Sequence, residues 1–142
     1  MNKKGLLVLV IILLSIFGYK VLYADKGFQG ELQPAKDAGS ALKAALEIKK
    51  PVFLEFTSDN CPACKKAKPW IEELYQEYGD EVTFILADVD KGGLSLAQHL
   101  GVRAVPTFVF YSKEGEIVDA FEGYPPTNSK EYLEEKIKGL LE

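Results

Sequence analysis

Residues 52–64 read Val52-Phe53-Leu54-Glu55-Phe56-Thr57-Ser58-Asp59-Asn60-Cys61-Pro62-Ala63-Cys64, and this stretch decides the fold. Its first six residues are apolar except for Glu55 and Thr57, which suits a strand buried on both faces. Ser58-Asp59-Asn60 is a short polar loop. After Cys61, the residues Ala67, Trp70, Ile71, Leu74 and Tyr78 recur near one helical face. That spacing predicts a helix from about Cys61 to Tyr78, ended at Gly79-Asp80, with all five residues in the core.

Outward from this unit the pattern continues. Upstream, Leu42, Ala45, Leu46 and Lys49 predict a helix from Asp37 or Ser40 to Lys50, capped by one of those two side chains and stopped by Pro51. Downstream, Val82–Val89 reads as a second strand, parallel to the first if the intervening helix is a crossover. A short helix over Leu94–Leu100 stops at Gly101. Val105–Tyr111 and Glu116–Phe121 read as strands joined by a tight turn at Lys113-Glu114-Gly115. Ser129–Leu141 closes the chain as a helix with Tyr132, Leu133, Ile137, Leu140 and Leu141 on its apolar stripe. The order predicts an α/β domain over residues 37–142, with a central sheet covered by helices on both faces.

Residues 1–24 have the character of a membrane or export signal. Lys3 and Lys4 form a basic head, and residues 6–19 are apolar apart from Ser15 and Gly18. Extended through Ala24, with only Lys20 interrupting, the run reaches the ~20 residues that a spanning helix needs. Lys20 can snorkel, with Tyr19 and Tyr23 beside it as interfacial aromatics. Cleavage after Ala24 is the alternative, against which Leu22 at the −3 position is a poor small-residue match. Either way the basic head stays in the cytoplasm and the domain is expected outside it. Residues 25–36, with two glycines and one proline, read as a stem.

Charge narrows the partners. Lys3, Lys4 and Lys20 are three of the 17 Lys and Arg, and residues 1–24 hold none of the 21 Asp and Glu. Residues 25–142 therefore carry 14 basic against 21 acidic groups, a formal charge of −7. That surface excludes nucleic acid, which needs a basic footprint.

The two cysteines are the chemistry-bearing pair. A structural bridge across two residues closes too short a loop to constrain the unfolded chain much. Zinc needs about four ligands, and one CxxC with the lone His99 falls short. Cysteines at the head of a helix that follows a strand suit redox exchange instead. Helix-terminal amides stabilise a thiolate at Cys61, Pro62 fits the first turn, and Cys64 lies one turn on, able to attack a mixed disulfide at Cys61.

FLEF, CPAC followed by Lys65, ADVD, GVRAVPTFVFY and the EGEI turn recur in the order found in thioredoxins, and from about Ala41 onward the chain resembles that family. The resemblance implies a thioredoxin fold with a mixed central sheet, preceded here by the N-terminal transmembrane or signal helix. It implies thiol–disulfide exchange with protein substrates, without metal or organic cofactor. Cys61 would be the attacking thiol and Cys64 the resolving thiol. Val105-Pro106 would be a cis peptide beside the dithiol, pairing with the substrate backbone. Glu55 would be the buried acid that accepts the Cys64 proton. Three departures are visible: Asn60 stands where thioredoxins usually carry Trp, the motif is CPAC and not CGPC, and Leu86 replaces a lysine that often faces the acid.

Similar tethered bacterial proteins reduce apocytochrome c cysteines or other exported substrates, and if this chain is a reductase a membrane-embedded thiol carrier is its expected electron donor. A reductase is therefore expected here. An oxidase or isomerase, and a non-catalytic thioredoxin-fold binding module, are the alternatives.

Overall fold

The computed structural model describes residues 30–127 and 129–142, together with Ile12. The leader expected over residues 1–24 falls outside the described residues apart from Ile12. Among the described residues no helix is long and apolar enough to cross a membrane.

Among the described residues four strands form one sheet: β1 (Val52–Thr57), β2 (Thr83–Asp88), β3 (Thr107–Tyr111) and β4 (Ile117–Glu122), in the order β2-β1-β3-β4. β1 runs parallel to β2 and antiparallel to β3, and β3 pairs antiparallel with β4. The sheet is therefore mixed, and its central strand is the apolar stretch that opens the site. Helix α1 (Ala38–Glu47) leads into β1, α2 (Pro62–Tyr78) crosses from β1 to β2, α3 (Leu94–His99) follows β2, and α4 (Lys130–Gly139) ends the fold.

Alternation along β1 splits the core in two. Phe53 points to the face covered by Ala67, Ile71 and Leu74 of α2 and by Leu133 and Ile137 of α4. Val52, Leu54 and Phe56 point to the other face, where Leu42 and Ala45 of α1 and Leu96 and Ala97 of α3 pack. Both faces of β1 are dry, which explains its near-continuous apolar reading.

Several boundaries moved for identifiable reasons. Asp37, not Ser40, caps α1: its carboxylate accepts from the Ser40 backbone N–H and hydroxyl, both at 3.0 Å. α1 ends before Pro51 because Lys49 turns into the left-handed region at φ 54°, so Lys49 leaves the apolar stripe. β3 begins at Thr107, after Pro106, which has no N–H to give to the sheet. α2 runs through Pro69, whose ring nitrogen offers no N–H to the Lys65 carbonyl. Trp70 is half-buried and not core, with its ring 5.2 Å from that of Tyr124. Leu141 lies beyond the end of α4 and is exposed.

The polar segment before α1 is irregular but docked. Leu32 is buried in the core. The Ala35 N–H donates to the Leu86 carbonyl at 2.9 Å, beside a parallel bridge between Pro34 and Leu86. Gly92 permits this close approach, since a Cβ there would collide with the Lys36 carbonyl oxygen.

Candidate active site

The fold brings the end of β1, the head of α2 and the loop before β3 to one place. Cys61 and Cys64 are joined as a disulfide, with their Cα atoms 5.2 Å apart. Cys61 is the N-cap of α2 in an extended backbone conformation, and Pro62 occupies the first turn. The Cys64 N–H points at Cys61 Sγ, 3.1 Å away, so one of the free amides of the helix start is aimed at that sulfur. Cys61 is partly exposed, whereas Cys64 is 3% exposed.

The cis Val105-Pro106 bond places the Val105 carbonyl oxygen 3.5 Å from Cys61 Sγ. Two links hold this loop: the Thr107 hydroxyl donates to the Ala104 carbonyl at 2.7 Å, and the Gly123 N–H to the Pro106 carbonyl at 2.7 Å.

Beneath the disulfide lies a cavity of about 210 Å³ whose lining includes Cys64, Glu55, Leu86, Lys65, Asp88 and Lys91. Glu55 is 3% exposed and its Oε1 has no hydrogen-bond partner. Burial alone pushes its carboxyl up to about 8. Such a group holds a proton at neutral pH and can release it within about one pH unit.

Thus all five residues expected at the site converge. Cys61 lies against the Val105 carbonyl of the cis Val105-Pro106 bond on the outer side, and Cys64 and Glu55 line one cavity on the inner side. His99 is exposed and lines a separate groove with Leu42, Leu46 and Leu96. Among the described residues no three His, Cys, Asp or Glu side chains are grouped to hold a metal ion.

Sequence reasoning missed two parts of the site. Residues 31–34 wall the cavity beside Glu55. Asp88 is 1% exposed and paired with Lys91 at 2.8 Å. The only available signal for the second part was an acid at the end of a buried strand.

The family model described as Thioredoxin matches residues 34–139. The chain belongs to the thioredoxin family. Thioredoxin of Gallus gallus is 42% identical over 105 residues, covering 74% of this chain and 91% of the chicken protein. The X-ray structure of Fasciola hepatica thioredoxin superposes with a TM-score of 0.63 at 30% identity, over 76% of this chain and 98% of that one. The chloroplastic thioredoxin-like protein HCF164 of Arabidopsis thaliana is 28% identical over 140 residues, 98% of this chain and 51% of that protein. With its Cys61–Cys64 disulfide, this thioredoxin is a thiol–disulfide oxidoreductase.

Proposed function

We propose that this thioredoxin is a membrane-tethered reductase that delivers two electrons to disulfides of exported proteins. The observation that carries the reading is the asymmetry of the dithiol: Cys61 is partly open beside Val105, and Cys64 is buried above Glu55. The basic head and apolar run of residues 1–24 support the tether and the extracytoplasmic side.

In the reduced protein, the Cys61 thiolate attacks one sulfur of a substrate disulfide. The substrate S–S bond breaks, a mixed disulfide forms, and the first substrate thiolate leaves. The Val105 carbonyl pairs with substrate backbone and fixes the line of attack. Cys64 then attacks Cys61 Sγ, giving up its proton to Glu55 in the fraction of molecules whose carboxyl is ionised, and the second substrate thiolate departs. The products are a substrate dithiol and the Cys61–Cys64 disulfide. The two substrate thiolates take up one proton from Glu55 and one from solvent, and a membrane-embedded thiol carrier must return two electrons and one proton to restore the Cys61 thiolate and the Cys64 thiol. Apocytochrome c cysteines held reduced before haem attachment are one fitting substrate class.

The test is trapping in cells with Cys64→Ser, which should capture exported proteins on Cys61. A measured reduction potential separates the readings: a value near that of thioredoxin, about −270 mV, fits a reductase, and one near −120 mV an oxidase. Insulin reduction that survives Cys61→Ser would sink the catalytic reading.

A further inference from the structure

Side chains from the loop after β2 reach across to the loop that presents Cys61. Lys91 Nζ lies 2.8 Å from Asp59 Oδ2 and 2.8 Å from Asp88 Oδ2. One residue back, Asp90 Oδ2 accepts from the Ser58 hydroxyl at 2.6 Å. Ser58 and Asp59 are two of the three residues between β1 and Cys61. Within that loop the Asn60 N–H donates to Ser58 Oγ at 3.1 Å and the Cys61 N–H to the Ser58 carbonyl at 3.1 Å. Holding Ser58 and Asp59 therefore holds Cys61.

The strength of the clamp comes from its buried end. The Lys91 and Asp59 side chains are both more than half exposed, and such a pair alone is weak in water. Asp88 is different. It is 1% exposed at the end of β2, and its Oδ1 accepts the Asp90 N–H at 2.9 Å. A buried carboxylate needs a cation nearby, so Asp88 fixes the position of the Lys91 ammonium. Lys91 then offers Asp59 a charge whose place is already set, and little further ordering is needed to make the pair.

We infer that Lys91, seated by Asp88, is a positioning residue for disulfide exchange. It holds the 58–61 loop so that Cys61 stands against the Val105 carbonyl. This rests on Cys61 being the attacking thiol. Displacing a reacting atom slightly costs rate with a large, oriented substrate, by as much as 10²-fold, while a small reagent that approaches from any side is little affected.

The experiment compares insulin reduction with iodoacetamide alkylation of Cys61 at a pH where the thiol is fully ionised, using the full chain. Lys91→Met should lower kcat/KM for insulin roughly tenfold and leave the limiting alkylation rate within about twofold. Lys91→Arg should restore most of the loss, because a guanidinium can still bridge two carboxylates. If Lys91→Met unfolds because Asp88 is left alone, the double variant Asp88→Asn/Lys91→Met removes both charges and should fold yet remain slow. Wild-type turnover by that double variant, or a Lys91→Arg protein as slow as Lys91→Met, would overturn the inference. Should wild-type Cys64 alkylate ahead of Cys61, the attacking role of Cys61 falls, whatever Lys91 does.

Discussion

Glu55 stands directly opposite Leu86 in the parallel β1–β2 pairing, so the strand beside the buried carboxyl offers it an isobutyl group in place of a cation. Desolvation is accordingly what raises the acid, up to about 8. Under the mechanism proposed above, this pairing bears on the proton that Cys64 gives up.

The first prediction concerns stability against pH. In the unfolded chain Glu55 titrates near 4.5, and in the folded chain near 8. Between those values the folded state keeps a proton that the unfolded chain has released. Stability should therefore fall as pH rises from about 4.5 to about 8, by up to ~1.4 kcal/mol per pH unit, and level off above. Glu55→Gln removes this slope, so the variant should melt higher than wild type at pH 8 and near it at pH 5. Its mixed disulfide should also resolve more slowly near neutral pH. Thermal melts and stopped-flow exchange check both; an unchanged exchange profile would make Glu55 a spectator.

Leu86→Lys tests the same pairing from the other side. A lysine opposite Glu55 should favour the carboxylate and move the pH midpoint of resolution toward the ordinary acid range. In the Glu55→Gln background the same lysine would be a buried cation without a partner. It should then destabilise by several kcal/mol. Equal effects of Leu86→Lys in the two backgrounds would show that residues 55 and 86 do not interact.

The dithiol should react unevenly. Cys61 caps α2 and is partly open, whereas Cys64 is 3% exposed. After reduction, iodoacetamide should label Cys61 first, and at a lower pH than a free thiol near 8.5. Mass mapping of the singly alkylated product decides it, and label on Cys64 first would reverse the assigned roles.

Much of this was open to reading because one-dimensional signals were strong. A central strand dry on both faces announces itself as VFLEF, and proline at 106 and 62 marks places where only a special backbone fits. Glu55 was conspicuous as the one acid inside that run. Other features depend on tertiary neighbours and leave little local trace. Leu32 looks like a stray apolar residue in a polar stem until the Ala35–Leu86 hydrogen bond docks it. Trp70 has helical spacing for the core, yet its large ring reaches the edge and meets Tyr124. Asp88 reads as the end of a strand and Lys91 as a charge just beyond it, with no sign of the ion pair, because burial of a strand's last residue is set by what packs over it.

The leader is open to direct chemistry. An uncleaved anchor predicts that membrane-extracted protein begins at or next to Met1 and partitions with the detergent phase. Edman or mass-spectrometric sequencing of the mature chain checks this. A start at Asp25 would make it a soluble exported thioredoxin.

The last prediction concerns the docked segment beside Glu55. Leu32 is buried in the cluster that holds Phe53 and Leu86, and residues 31–34 wall the cavity into which Glu55 faces. Truncating Leu32 to alanine should cost roughly 2–5 kcal/mol, as buried leucines generally do. If the segment only packs, the loss of stability is the whole effect. If it also keeps water from Glu55, a second effect follows, because dehydration is the cause of the raised carboxyl. Water entering beside Leu32 should let Glu55 ionise earlier, so the pH midpoint of Cys64 attack moves down in Leu32→Ala. Gly92→Ala should act in the same direction by a different route, since its Cβ displaces the Lys36 carbonyl and with it the segment. Exchange profiles measured well below each variant's melting temperature separate the outcomes. A lowered melt with an unmoved midpoint in both variants would show that the cavity stays dry without the segment, and that β1 and α2 alone set the acidity of Glu55.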